Sequence, residues 1–214
     1  MRRQLPELEA ALEGGVVDYF LKRLPSGYHL RVWPDAAEDT AFLDIETTGL
    51  EATSEITVIG VLYRGCVQQF VKGRDLHKFL SWWGRIKLLI TFNGPRFDVP
   101  AICRHFRLTQ LPAQIDLMQE ARALGYAGGL KSVEQKLHLR RLSADVDGEL
   151  AVQWWQDFEE NGNRDSLHLL LKYNRDDVVN LSKIARRILR KSFDGCPIPP
   201  PYPSALWQSN TVCS

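Results

Sequence analysis

The chain has 214 residues, 44% of them hydrophobic and 25% charged, which suits one globular domain with extensions or at most two small ones. A formal net charge of +1 excludes a general polycation, so nucleic-acid binding would need a locally basic surface. Four cysteines without a C-x-x-C pair argue against a zinc site or disulfide frame, and neither a signal pattern nor an apolar run of ~18 residues is visible, so a soluble cytoplasmic protein with no membrane partner is expected.

Residues 1–38 read as a helical arm and linker: a short helix from Leu5 to Leu12 ended by Gly14-Gly15, another over Val16 to Leu24, then a linker through Pro34 and the acidic Asp35 to Asp39 stretch. Three strands follow. The first, Ala41-Phe42-Leu43-Asp44-Ile45-Glu46, leads into Thr47-Thr48-Gly49. Strand periodicity turns Asp44 and Glu46 to one face, about 6–7 Å apart along the chain, and Leu43 and Ile45 to the other. Paired acids in an apolar strand repel each other and are costly to desolvate, and a bound cation relieves both. Taken alone, the pattern also fits a solvated edge strand. The second strand spans Glu55 to Tyr63 and turns at Arg64-Gly65 into the third, Cys66 to Val71; connections this short imply antiparallel pairing.

A helix is expected from Asp75 through Trp82-Trp83, whose aromatic pair reads as core. Lys87 to Phe92 fits a strand buried on both faces, broken by Asn93-Gly94-Pro95 before a helix over Phe97 to Phe106. Asp98 thus sits at a strand-to-helix junction, where α/β sheets place ligand groups; the alternative is an acid that favours the helix dipole. Gln114 to Met118 reads as a short strand with Asp116 as a helix cap, and a helix follows to Leu124. Beyond Gly128-Gly129 come a helix carrying Leu130, Val133, Leu137 and Leu139, and another over Glu149 to Phe158 with Trp154-Trp155 as core anchors. The longest helix runs from Arg164 to Phe193, with Leu170, Ile184 and Ile188 on its apolar side. Asp177 falls on that stripe and needs a partner there, Tyr173 shares its face at i, i+4, and Asp176 lies one step round. The basic residues Lys183, Arg186, Arg187, Arg190 and Lys191 suit the helix C-terminus, with phosphate contact as the alternative; Lys131, Arg140 and Arg141 pose the same choice. Residues 195–214 are a Pro-rich tail.

Taken together, Asp44-Ile45-Glu46-Thr47-Thr48-Gly49, Asn93-Gly94-Pro95-Arg96-Phe97-Asp98 and Tyr173-x-x-x-Asp177 resemble the three motifs of the DEDD exonucleases of the ribonuclease H-like superfamily. The third motif of that family carries either histidine five residues before the acid or tyrosine four before it. Lys172 occupies the histidine position, so the resemblance is to the tyrosine (DEDDy) subgroup, and Gly129-Leu130-Lys131-Ser132-Val133-Glu134 adds a likeness to bacterial YprB-like predicted exonucleases. The resemblance covers about residues 40–192. It implies an α/β fold with a ribonuclease H-like mixed sheet, three antiparallel strands then parallel ones, in a domain over residues 39–194.

It further implies that Asp44, Glu46, Asp98 and Asp177 ligate metal, and that Tyr173 holds the attacking water. Thr47, Asn93 and Phe97 are assigned to substrate binding, with Phe97 and Leu50 as wedges or pocket wall. Oxygen-only donors suit Mg²⁺ or Mn²⁺, and two such ions about 3.5–4 Å apart can stabilise the attacking and leaving oxygens at phosphorus. The implied activity is 3′→5′ hydrolysis of single-stranded DNA or RNA ends. The rivals are a catalytically inactive nucleic-acid-binding module of a larger processing or repair assembly, and a phosphodiesterase of short oligonucleotides.

Overall fold

The computed structural model describes residues 17–49, 51, 53–139 and 148–194. The expected helix at Leu5–Leu12, the Pro-rich tail, Leu50, Arg140 and Arg141 lie outside them. A short helix α1 (Val17–Leu21) leads to a 3-10 helix, His29–Asp39. The sheet strands are β1 (Thr40–Thr47), β2 (Ile56–Tyr63), β3 (Cys66–Val71), β4 (Leu88–Thr91) and β5 (Ala113–Asp116). A 3-10 turn, Leu76–Phe79, and helix α2 (Leu80–Trp83) precede β4, while α3 (Asp98–Phe106) joins β4 to β5. Helices α4 (Leu117–Ala123), α5 (Leu130–Lys136), α6 (Gly148–Asn161) and α7 (Arg164–Lys191) complete the described chain.

The five strands lie in the order β3-β2-β1-β4-β5. β1 pairs antiparallel with β2 and β2 with β3, whereas β4 runs parallel to both β1 and β5. This is the mixed α/β sheet that the family resemblance implies, and the short early turns account for its antiparallel part. All residues of β2 and β4 are buried, as their uninterrupted apolar runs require of strands covered on both faces. One face of the sheet packs Phe42, Leu62, Leu88 and Ile90 against Val178, Leu181, Ile184 and Ile188 of α7. The opposite face packs Leu43, Ile45, Ile59 and Val61 with Phe79, Trp83, Val99 and Ile102. Alternation along β1 therefore turns Asp44 and Glu46 toward α7.

The stretch from Pro34 to Asp39, expected as a linker, continues a 3-10 helix whose first residues enter the core. Leu30 and Trp33 of the 3-10 helix are buried, and Trp33 meets Phe42 edge-on at 5.3 Å. Pro34 and the acids around it suggested a linker, but Pro34 lies inside the helix, and the apolar Leu30, Val32 and Trp33 among the polar residues decide the outcome. The helix expected from Asp75 opens as a 3-10 turn, since the Asp75 carboxylate accepts the Val71 N–H at 2.8 Å and holds the chain close to β3. The Glu134 element joins α5 to α7: its buried carboxylate accepts from Asn180 Nδ2 at 2.8 Å, and Lys183 Nζ donates to Asn180 Oδ1 at 2.9 Å. Among the described residues no helix is long and apolar enough to cross a membrane.

His29 fastens the N-terminal segment to α4. Its backbone N–H donates to Glu120 Oε2 at 3.0 Å, its Nδ1 lies 3.0 Å from Glu120 Oε1, and its Nε2 is 2.7 Å from the Leu24 carbonyl oxygen. Both ring nitrogens face acceptors, which calls for the imidazolium. The hydrogen bond to buried Glu120 raises the His29 pKa, and burial opposes it only in part. A histidine raised in the folded state contributes stability that is complete below its unfolded value of about 6.5 and is lost as pH rises through the folded value. Glu120→Gln should therefore lower stability at pH 6 by about 1–3 kcal/mol, and the gap should close toward pH 9. Urea unfolding at the two pH values tests this, and an equal loss at both would show that the ion pair is not responsible.

Candidate active site

The central carboxylates owe their position to where β1 loses its parallel neighbour. The β1–β4 register covers only Thr40↔Leu88, Ala41↔Leu89 and Phe42↔Ile90. Beyond Phe42, β1 keeps β2 on one side, with a register shift between Glu46 and Thr47, and its other edge opens. The Ile45 N–H on that edge donates to Asp98 Oδ1 at 3.1 Å. Asp98, the first residue of α3, thus supplies the acceptor that a longer β4 would have provided. Asp116 braces the same region as the cap of α4, accepting from Met118 N at 2.9 Å and Asn93 N at 2.7 Å. Asn93 is held there in the left-handed region, φ 62°.

Against this open half of β1 lies α7, capped by the Asn163 side chain, which accepts from the N–H groups of Asp165 and Ser166. Asp177 is buried on its sheet-facing side. Asp44, Glu46 and Asp177 each offer a carboxylate oxygen, and these three oxygens lie within 4.8 Å of one another. They line an open cleft of about 210 Å³ with Thr47, Phe92, Phe97, Val152 and Tyr173. Tyr173 is buried, with its ring 6.5 Å from that of Trp154. A smaller pocket of about 160 Å³ shares Thr47 and Phe97 with the cleft and carries Arg96 and Arg104.

The structure thus brings Asp44, Glu46, Asp177, Tyr173, Thr47 and Phe97 to one cleft. Asp98 sits at the open edge of β1, outside the three-acid cluster, with one oxygen committed to the Ile45 N–H. Asn93 and Asp176 are also outside the cleft lining. The basic residues from Lys183 to Lys191 lie toward the far end of α7, where Arg187 donates to the Leu137 carbonyl, and none of them lines the cleft. Sequence reasoning passed over Asn174, whose Nδ2 donates to Asp44 Oδ2 at 3.1 Å. The available signal was Gly60, a glycine inside a β-branched strand, which marks a close approach by another chain segment.

Charge is strained at this site. Burial raises the Asp44 pKa well above the ordinary carboxylate range, and Asp177, Glu46 and Asp98 push it further; Asn174 opposes them. Burial also raises Asp98 to about 7, against the lowering effect of its backbone hydrogen bonds. Three oxygen donors with like charge at this spacing suit a hard divalent cation, which would replace repulsion with attraction.

The family model of the RNase H superfamily matches residues 41–189. The chain belongs to the RNase H superfamily. The five-stranded mixed sheet with flanking helices agrees with that assignment. Among solved structures, the family B DNA polymerase from the hyperthermophilic archaeon Pyrobaculum calidifontis is similar in fold, with a TM-score of 0.53 and 14% identity over 74% of this chain. The match covers 26% of the polymerase, so this RNase H domain corresponds to about a quarter of that protein. No curated protein matches the sequence.

A carboxyl with a raised folded-state pKa contributes most at low pH, and its contribution is lost as pH rises through the folded value. Asp44→Asn should therefore raise the melting temperature of the metal-free protein at pH 8 and leave it nearly unchanged near pH 4. Calorimetry at both pH values is the check. A variant less stable than wild type at pH 8 would show that Asp44 is not held under repulsion.

Proposed function

We propose that this member of the RNase H superfamily is a metal-dependent 3′→5′ exonuclease acting on single-stranded nucleic-acid ends, of the tyrosine (DEDDy) subgroup and similar to the YprB-like enzymes. The observation that carries the reading is the convergence of Asp44, Glu46 and Asp177 with Tyr173 in one cleft. The acid-x-acid strand and the Tyr173-x-x-x-Asp177 helix supply both halves of that cleft, and the likeness to a DNA polymerase supports a nucleic-acid substrate.

Asp44, Glu46 and Asp177 would hold Mg²⁺ or Mn²⁺, with Asp98 completing the set for two ions by resemblance. Such ions would supply Lewis-acid stabilisation of charge at phosphorus and a more acidic water. The protein's own side chains orient the reactants. A tyrosine with a pKa of about 10 is a poor base at neutral pH, so Tyr173 positions the attacking water through its hydroxyl. Phe97 and Thr47 wall the terminal nucleotide. Arg96 and Arg104, in the adjoining pocket, pair with backbone phosphate and provide the local positive charge that the overall charge of +1 lacks. Through Ile45, Asp98 also keeps the acid-bearing half of β1 in place.

Matched 3′- and 5′-labelled single strands of DNA and RNA, incubated with Mg²⁺, Mn²⁺ or EDTA, test the reading. Metal-dependent stepwise shortening from the 3′ end is expected, and its loss in Asp44→Ala and Asp177→Asn ties it to the cleft. Tyr173→Phe should lower kcat by about 100-fold with little change in KM. Arg96→Ala together with Arg104→Ala should raise KM and flatten its salt dependence. Binding without cleavage in any metal would instead favour a non-catalytic module, and shortening confined to very short oligonucleotides would favour the phosphodiesterase alternative.

A further inference from the structure

Asp44, Gly60 and Gln69 stand in one row across the sheet. Asp44 on β1 pairs with Gly60 on β2, and Gly60 pairs with Gln69 on β3. The middle position has no side chain, and Asn174 of α7 occupies the space above it. A Cβ on Gly60 would overlap Asn174 Oδ1 and approach Val178 Cγ2 to 2.8 Å. Asn174 is fully buried. Its Nδ2 donates to Asp44 Oδ2 at 3.1 Å and to the Asp44 carbonyl oxygen at 3.3 Å. Its Oδ1 accepts from Gln69 Nε2 at 3.0 Å, and the same Nε2 donates to the Leu171 carbonyl at 2.7 Å.

This arrangement leaves the amide one orientation. The Asp44 side presents a carboxylate and a carbonyl, both acceptors, so it must face the NH₂ group. The Gln69 side presents a donor, so it must face the oxygen. Gln69 is in turn anchored to the α7 backbone at Leu171. The row therefore acts as a rigid brace on one oxygen of Asp44. Groups that orient metal-binding carboxylates in this way commonly matter almost as much as the ligands themselves.

We infer that Asn174, seated over Gly60 and locked by Gln69, is a positioning residue that fixes the Asp44 carboxylate for divalent-metal binding. The inference rests on the reading of the acidic cleft as a metal site. Asn174 does not touch substrate. Its effect should appear in metal affinity and in kcat, and should leave KM for the nucleic acid unchanged.

The test compares wild type, Asn174→Leu and Gln69→Leu by Mn²⁺ titration calorimetry without substrate, and then by kcat and KM on labelled single strands. Asn174→Leu keeps the side-chain volume and removes the donor; it should weaken Mn²⁺ binding by about 10-fold or more and lower kcat similarly, with KM within about twofold. Gln69→Leu, one residue further from the metal, should shift both in the same direction by a smaller factor. A folded Asn174→Leu protein with Mn²⁺ affinity and kcat within about twofold of wild type would overturn the inference. If Asn174→Leu fails to fold, Gln69→Leu decides: weakened Mn²⁺ binding supports the brace and unchanged binding refutes it. Because Mn²⁺ affinity is read without substrate, the comparison holds for a protein that cleaves nothing, so failure of the exonuclease reading and failure of the brace are separate results.

Discussion

Three carboxylates that repel one another are held within 4.8 Å by a scaffold they do not stabilise. Their proximity is imposed from outside. β1 is fastened to β2 along its length, and α7 is pinned by the apolar contacts of Val178, Leu181, Ile184 and Ile188 with the sheet. Asp177 precedes that run directly, so the helix cannot withdraw the acid without giving up its own packing. Burying each of those side chains contributes roughly 1.5–3 kcal/mol, enough in sum to outweigh the local repulsion.

The division of labour along β1 follows from the length of its neighbours. Ala41 and Phe42 lie between two strands, and their ladder is complete. From Leu43 onward one edge is released, and side-chain chemistry replaces backbone pairing. The Asp98 carboxylate stands in for a strand at Ile45, Asp116 holds the turn at Asn93, and Asn174 reaches across the glycine gap. A polar group that would be a liability in a complete sheet here satisfies the open edge.

Much of this was legible in the residues. The period-two pattern of β1 put Asp44 and Glu46 on one face, the helical period put Tyr173 and Asp177 together, and the short early turns implied the antiparallel part of the sheet. Asp116 was readable as a cap. What escaped was what depends on distance in space. The commitment of Asp98 to Ile45 arises from where β4 stops, which no local pattern announces. The row through Gly60 and Gln69 is set by strand register, and sequence leaves register open until partners are known. The 3-10 helix at His29–Asp39 was obscured because its polar residues and Pro34 outweigh three buried apolar side chains in any local count.

That helix bears on where the folding unit begins. The family match starts at residue 41, yet Leu30 and Trp33 fill the same core as Phe42 and Leu62. Val17 and Leu21 pack against that core as well. A recombinant fragment cut at the family boundary would therefore present an uncovered apolar surface at the start of its central strand, and self-association of that fragment would report on the cut rather than on the native protein.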